Sequence, residues 1–169
     1  MGPASCQMQR MQLYVIRHGI AEDAGPGQDD AERALTSDGE KKLRREVKGL
    51  RELGWMFERV LTSPWLRAKQ TAKLLASITE HDVTETELLA APPSRELMTL
   101  IAETKAEHVA VVGHEPWLGE LVQWLTLGDP HRDALVLKKG GVVVLSGTPL
   151  PGAMKLHALL PPKIVRSLR

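Results

Sequence analysis

The chain has 169 residues, with 22 Lys and Arg against 21 Asp and Glu and a single cysteine, Cys6. That length fits one domain able to bury roughly two-thirds of its unfolded surface. The near-neutral balance removes a global basic field for nucleic acid, the lone cysteine removes a disulfide framework and a thiolate zinc site, and no apolar run approaches the ~20 residues of a membrane span. A soluble protein of the reducing cytoplasm is expected, with no nucleic-acid or membrane partner. Any attraction for an anion must be local.

Residues 1–10 read as a disordered leader ahead of a single domain over 11–169. Short apolar runs then alternate with longer amphipathic ones, the pattern of strands and crossover helices. Residues 12–16 form a first strand, followed by a polar loop over 22–33. Ser37 with Glu40 three residues on has the form of a capping box. The helix it opens carries Leu43, Val47, Leu50 and Leu53 at helical spacing and stops at Gly54. Residues 59–62 read as a second strand, and Ser63-Pro64 as the N-cap and first position of a helix reaching Ile78. An extended piece over 83–89 leads to Pro92-Pro93, and Ser94 can cap a helix to Thr104. The wholly apolar run 109–112 suits a strand covered on both faces, at the centre of the sheet. Gly113-His114-Glu115-Pro116 opens a helix to Leu127. Strands at 142–145 and 154–160 follow, the second alternating apolar with polar residues as an antiparallel edge strand does. The expected fold is α/β, three-layered, with a mostly parallel central sheet, helices on both faces and an antiparallel edge strand.

Each of three strands runs directly into a cationic or imidazole residue. The first delivers Arg17-His18-Gly19, the second leads through Ser63-Pro64-Trp65-Leu66 to Arg67, and the third delivers His114. The carboxyl ends of parallel strands share one sheet edge, where ligands of such folds bind, and helix N-termini there favour an anion. Four basic groups converging at that edge point to phosphoryl chemistry. A neutral histidine can accept a phosphoryl group, a guanidinium can grip its oxygens with a planar fork, and Gly19 permits close backbone approach.

The stretches Tyr14-Val15-Ile16-Arg17-His18-Gly19, Arg33-Ala34-Leu35-Thr36 with Gly39, Leu61-Thr62-Ser63-Pro64 with Arg67-Ala68 and Gln70-Thr71-Ala72, and Val112-Gly113-His114-Glu115-Pro116 resemble, in order and spacing, the histidine phosphatase superfamily. Within that phosphoglycerate-mutase-like family the chain is most similar to the small bacterial phosphohistidine phosphatase branch, the SixA type. The resemblance implies that His18 is the phosphorylated nucleophile, that Arg17, Arg67 and His114 complete the phosphate pocket, and that neither metal nor other cofactor is required. Arg33 matches an arginine of this branch and could reach the phosphate or a protein partner.

The group that protonates the leaving atom is open, with Glu22, Glu87 and Glu115 as candidates. A phosphohistidine substrate would need such an acid least, because imidazole leaves far more readily than an alkoxide. The first function expected is therefore hydrolysis of phosphohistidine on a phosphotransfer protein. A phosphomonoesterase for a small metabolite such as a sugar phosphate and a non-catalytic phosphate-binding module are the alternatives. His81, His108, His131 and His157 lack metal-ligand spacing and read as surface or loop residues. Trp117 and Trp124, seven apart, suit core packing, although Trp65 and Trp117 could form an aromatic rim beside Arg67 and His114.

Overall fold

The computed structural model describes residues 11–131 and 133–168, so the expected leader lies outside the described residues. In chain order the elements are β1 (Met11–Arg17), α1 (Ser37–Glu52), β2 (Arg59–Thr62), α2 (Leu66–Leu75), β3 (Thr84–Glu85), α3 (Arg95–Glu103), β4 (His108–Gly113), α4 (Trp117–Leu127), β5 (Val142–Gly147), β6 (Met154–Leu160) and α5 (Pro162–Ser167). The strands form one sheet in the order β3-β2-β4-β1-β5-β6. Its first four strands are mutually parallel, whereas β5 runs antiparallel to both β1 and β6.

Strand alternation divides the core between the two faces of the sheet. Leu13, Val15, Val109, Val111, Val143 and Leu145 pack with Leu97 and Ile101 of α3 and Leu118, Leu121 and Leu125 of α4. Their neighbours Tyr14, Ile16, Ala110, Val112, Val142 and Val144 pack instead with Val47 and Leu50 of α1, Ala68, Ala72 and Leu75 of α2, and Val165 of α5. Both faces are dry, which is why these strands read as unbroken apolar runs. The same fact hid the direction of β5, since an apolar run reports burial on two faces and not orientation. β6 is the antiparallel-paired edge strand that its alternation indicated, yet β5 is the strand that opposes the rest.

Local chemistry shifted several boundaries. The cap of α1 is Thr36, whose Oγ1 accepts the Gly39 N–H at 2.8 Å, and Ser37 is the first helical residue. α2 begins at Leu66, not Pro64, and a 3-10 turn over Ala76–Ile78 completes the stretch expected as helix. Between 83 and 89 only Thr84–Glu85 is strand, followed by a 3-10 turn, Glu87–Leu89. Ser94 caps α3 as expected, accepting the Leu97 N–H at 3.2 Å.

Helix α5 gave no signal in the sequence because six residues are too few to show a period. It is held from outside. A Cβ on Gly49 of α1 would lie 2.0 Å from the Val165 carbonyl oxygen, so glycine lets the two helices touch. Beside this contact Arg166 pairs with the buried Glu46, whose second oxygen lies against Gly140. Gly140 has φ of +80°, and its N–H donates to the carbonyls of Arg17 and His18, each at 3.1 Å. The C-terminal helix therefore braces, through one carboxylate, the turn that holds the end of β1.

Burial raises the Glu46 carboxyl to about 7 despite Arg166. A folded-state value above the unfolded one gives stability that is full below the unfolded carboxylate range and lost as pH rises through about 7. Glu46→Gln should thus match the wild type in urea melts near pH 4.5 and exceed it by on the order of 2 kcal/mol at pH 8. A stability difference that does not vary with pH would remove this assignment.

Candidate active site

The parallel register places Arg17 opposite Gly113 and Thr62 opposite Val112, so three strands end together at one sheet edge. The β1–β4 ladder continues one residue further, with the His18 N–H donating to the Gly113 carbonyl at 3.1 Å. His18 is 4 % exposed. Its Nδ1 lies 2.7 Å from the Gly19 carbonyl oxygen, which can only accept, so the ring proton sits on Nδ1. That leaves the Nε2 lone pair facing the site, where the Arg67 Nε–H donates to it at 3.2 Å. Burial, and after it the nearby His114, Arg67 and Arg17, lower the His18 imidazole to about 3 against the opposing effect of the Gly19 bond. The ring is a neutral imidazole of fixed tautomer, with an unprotonated nitrogen available to act as a nucleophile.

Arg67, on the first turn of α2, is 3 % exposed. Besides His18 it donates to Asp30, through Nη1 to the carbonyl and through Nη2 to Oδ2 at 2.7 Å. Asp30 belongs to a 3-10 turn, Asp30–Glu32, in the loop expected to be irregular. Its other oxygen pairs with Arg33 Nε at 2.7 Å, and Arg33 Nη1 also donates to the Glu22 carbonyl at 3.0 Å. Arg33 thus reaches the site at one remove, through Asp30. The two guanidinium groups hold Asp30 below the usual carboxylate range, outweighing the upward effect of its burial.

Arg17 donates from Nη1 to the Leu137 carbonyl at 2.8 Å, while its buried Nε has no hydrogen-bond partner among the described residues. The segment carrying Leu137 is tied to α4. Glu115 accepts the Leu137 N–H at 3.2 Å and the Gly119 N–H at 2.8 Å, and Gln123 Oε1 accepts the Ala134 N–H at 2.8 Å. Arg17, Glu115 and Gln123 line a cleft of about 580 Å³ here, together with Leu135 and Leu137.

His114 faces His18 with ring centroids 5.1 Å apart. Its Nε2 lies 2.8 Å from Ser63 Oγ, which also accepts the Trp65 N–H at 3.2 Å. Burial first, then Arg67, bring the His114 imidazole down to about 4. Its buried Nδ1 has no partner among the described residues. Trp65 lies 4.5 Å from the His114 ring and has the Arg67 Cζ 4.7 Å over its centroid.

His18, Arg17, Arg67 and His114, expected together from the sequence, do converge. Gly19 contributes its carbonyl to His18 and its N–H to Thr71 Oγ1 at 3.1 Å, and a Cβ there would strike Leu43. Of the three candidate acids, Glu22 and Glu87 are exposed. Glu115 has both oxygens on backbone N–H groups, and burial raises its carboxyl against those two bonds. Sequence reasoning missed Asp30, which no periodicity marks, and read Ser63 as a helix cap when its hydroxyl serves His114. Trp124 packs on the core as expected, whereas Trp117 stands 5.8 Å from Trp65 at the site. Two guanidinium groups, two neutral imidazoles and the buried Arg17 Nε, which has no hydrogen-bond partner among the described residues, form an arrangement that can take up an oxyanion and present it to the free Nε2 of His18.

A model of the histidine phosphatase superfamily (branch 1) matches residues 13–90. The chain is 35 % identical over 154 residues to an uncharacterized protein of Picosynechococcus sp. (strain ATCC 27264 / PCC 7002 / PR-6), covering 88 % of this chain and 90 % of that one. It is 30 % identical over 125 residues to phosphohistidine phosphatase SixA of Escherichia coli (strain K12), covering 70 % of this chain and 76 % of that protein. The solved structure of the protein histidine phosphatase SixA complexed with tungstate superposes with a TM-score of 0.74 at 26 % identity, over 90 % of this chain and 98 % of that one. No helix among the described residues is long and apolar enough to cross a membrane. By the order of its motifs and by these relatives, the chain belongs to the histidine phosphatase superfamily and is SixA-like within it.

Proposed function

We propose that the protein is a metal-independent phosphatase that works through a phosphohistidine on His18 and removes phosphate from phosphohistidine carried on a protein. The observation that carries this reading is the Nδ1–H bond from His18 to the Gly19 carbonyl, which leaves Nε2 unprotonated beside Arg67. In the first step Nε2 attacks phosphorus as the bond to the leaving nitrogen breaks. A substrate imidazole protonated on its other nitrogen departs neutral, with the electron pair of the broken bond. Arg17, Arg67 and a Nδ1–H of His114 neutralise the three equatorial oxygens, the role that Mg²⁺ fills in other phosphoryl transfers. Donation of the Ser63 hydroxyl proton to His114 Nε2 is what would keep that proton on Nδ1.

The second step uses the same hydrogen bond. Phospho-His18 retains its Nδ1 proton, so the phosphorylated ring is cationic and leaves as neutral imidazole when water attacks. The two water protons end on the phosphate product. No carboxylic acid is required in either step, which suits a site where Glu22 and Glu87 are exposed and Glu115 is engaged by backbone donors. A phosphate ester, whose alkoxide leaves poorly, would need the acid that this arrangement does not supply. The cytoplasmic setting and a histidine-phosphorylated protein as substrate belong to the same proposal.

His18→Ala should lower kcat by at least about 10⁴-fold and abolish the phosphorylated form seen by intact-mass analysis. Phosphorylation that persists in the variant would place the nucleophile elsewhere. The reading itself is tested by comparing kcat/KM, in EDTA, for a phosphohistidine-bearing domain and a panel of metabolite phosphate esters. An ester that wins by orders of magnitude would overturn the substrate class.

Because the His18 ring is held at about 3, kcat/KM corrected for substrate ionisation should stay flat from pH 7 to about 5. An acidic limb with a midpoint near the free-histidine value of ~6.5 would contradict it. Asp30 occupies Arg67 donors that an incoming phosphate must take over. Asp30→Asn should therefore tighten inhibition by inorganic phosphate roughly three- to tenfold. Weaker inhibition would mean that Asp30 positions Arg67 and does not compete with phosphate.

A further inference from the structure

The phosphate pocket has a polar floor and walls, but its outer edge is aromatic. His18, Arg67 and His114 are buried, whereas the neighbouring Trp65 and Trp117 are only half-buried. Trp65 touches two of the phosphate-facing groups at once, with its ring 4.5 Å from His114 and 4.7 Å from the Arg67 Cζ. Trp117, at the start of α4, meets the Trp65 ring edge-on at 5.8 Å and the His114 ring edge-on at 6.2 Å.

In-line attack by a nucleophile in the floor sends the leaving group out of the buried pocket, and the half-buried indoles border that pocket through their contacts with His114 and Arg67. Neither tryptophan belongs to the two core clusters, although Trp124 of the same helix packs against one. Trp117 also borders Leu89, Leu97 and Leu121 of the first cluster, whereas Trp65 has its ring contacts at the site, with His114, Arg67 and Trp117. An indole face offers a flat ligand stacking or edge contact at little conformational cost, and gives an aliphatic chain no comparable geometry. It also borders the Arg67 guanidinium, whose charge polarises the face.

Resting on the phosphatase reading above, we infer that Trp65, backed by Trp117, is the specificity-determining wall of the site and receives a flat aromatic leaving group, selecting phosphoryl groups bonded to aromatic rings over those on aliphatic alcohols. An imidazole nitrogen and a phenolic oxygen share this chemistry, and the test separates them. The wall acts on the group that departs and not on the phosphoryl group.

Wild type, Trp65→Leu and Trp65→Phe are compared on phosphoimidazole, phenyl phosphate, ethyl phosphate and phosphoramidate, the last carrying no organic body. Taking the variant-to-wild-type ratio for each substrate cancels intrinsic leaving-group reactivity. Trp65→Leu should lose roughly tenfold in kcat/KM on the aromatic substrates and less than about threefold on ethyl phosphate and phosphoramidate, with Trp65→Phe recovering most of the loss. A loss confined to phosphoimidazole assigns the wall to imidazole, and one confined to phenyl phosphate assigns it to a phenol. Equal losses on all four substrates would reduce Trp65 to a support for His114 and Arg67 and overturn the inference, as would no loss at all. Thermal melts of both variants separate these results from misfolding, and the Phe variant keeps the test decisive if the Leu variant does not fold. If wild type hydrolyses the ester and phosphoramidate but shows no aromatic advantage that Trp65→Leu removes, only the wall is refuted. If wild type hydrolyses none of the four nor the phosphohistidine-bearing domain, the phosphatase reading fails and the wall falls with it, whereas activity on that domain that Trp65→Leu leaves unchanged refutes the wall alone.

Discussion

The site hangs on the pairing of β1 with β4, which does not stop where the strands do. The His18 N–H continues the ladder to the Gly113 carbonyl, and on the opposite side Gly140 and Gly141 hold the backbone of Arg17 and His18. Fixed from both flanks, His18 cannot drift relative to His114, which follows Gly113 directly. The imidazoles therefore meet because two strands share a register, and Arg67 joins them because β2 ends on the same edge. Positions set by sheet hydrogen bonds are stiffer than positions set by loops, and phosphoryl transfer depends mainly on position.

Such a cluster concentrates positive charge among buried groups. Arginines cannot give up their protons, so the imidazoles respond by staying neutral, with burial the leading cause at both His18 and His114. Acidic residues are present but are engaged elsewhere. Asp30 is shared between Arg67 and Arg33, and Glu115 is committed to the backbone of α4 and of the segment before β5. Each carboxylate thus shapes the site through a cation or a backbone strap. The Glu115 bond to the Leu137 N–H and the Arg17 bond to the Leu137 carbonyl show the strap most directly, since the backbone of one residue links the two side chains.

Support from behind follows the same logic. Glu46, Arg166 and Gly140 connect the last helix to the turn under β1, and a glycine with positive φ is what allows the carboxylate so close. A buried ion pair of this kind is a poor source of net stability but a good registry device. It joins a six-residue helix, too short to stand alone, to the strand that ends at His18.

The linear pattern of residues determined the layer architecture, the run of strands and helices, and the convergence of Arg17, His18, Arg67 and His114. Each of these follows from periodicity or from chain adjacency to a strand end. Sequence alone left the direction of β5 hidden, because burial on both faces erases the alternation that would reveal it. It missed α5, whose stability lies in its contact with Gly49 and Glu46 and not in its own six residues. It also passed over Asp30 and the role of Ser63, whose places depend on partners 37 and 51 positions away, Arg67 for Asp30 and His114 for Ser63. Which atom of His18 is free to react was likewise invisible in the tripeptide Arg17-His18-Gly19. That was decided by a carbonyl one residue away, turned back onto Nδ1 by the packing of Gly19 against Leu43 and Thr71.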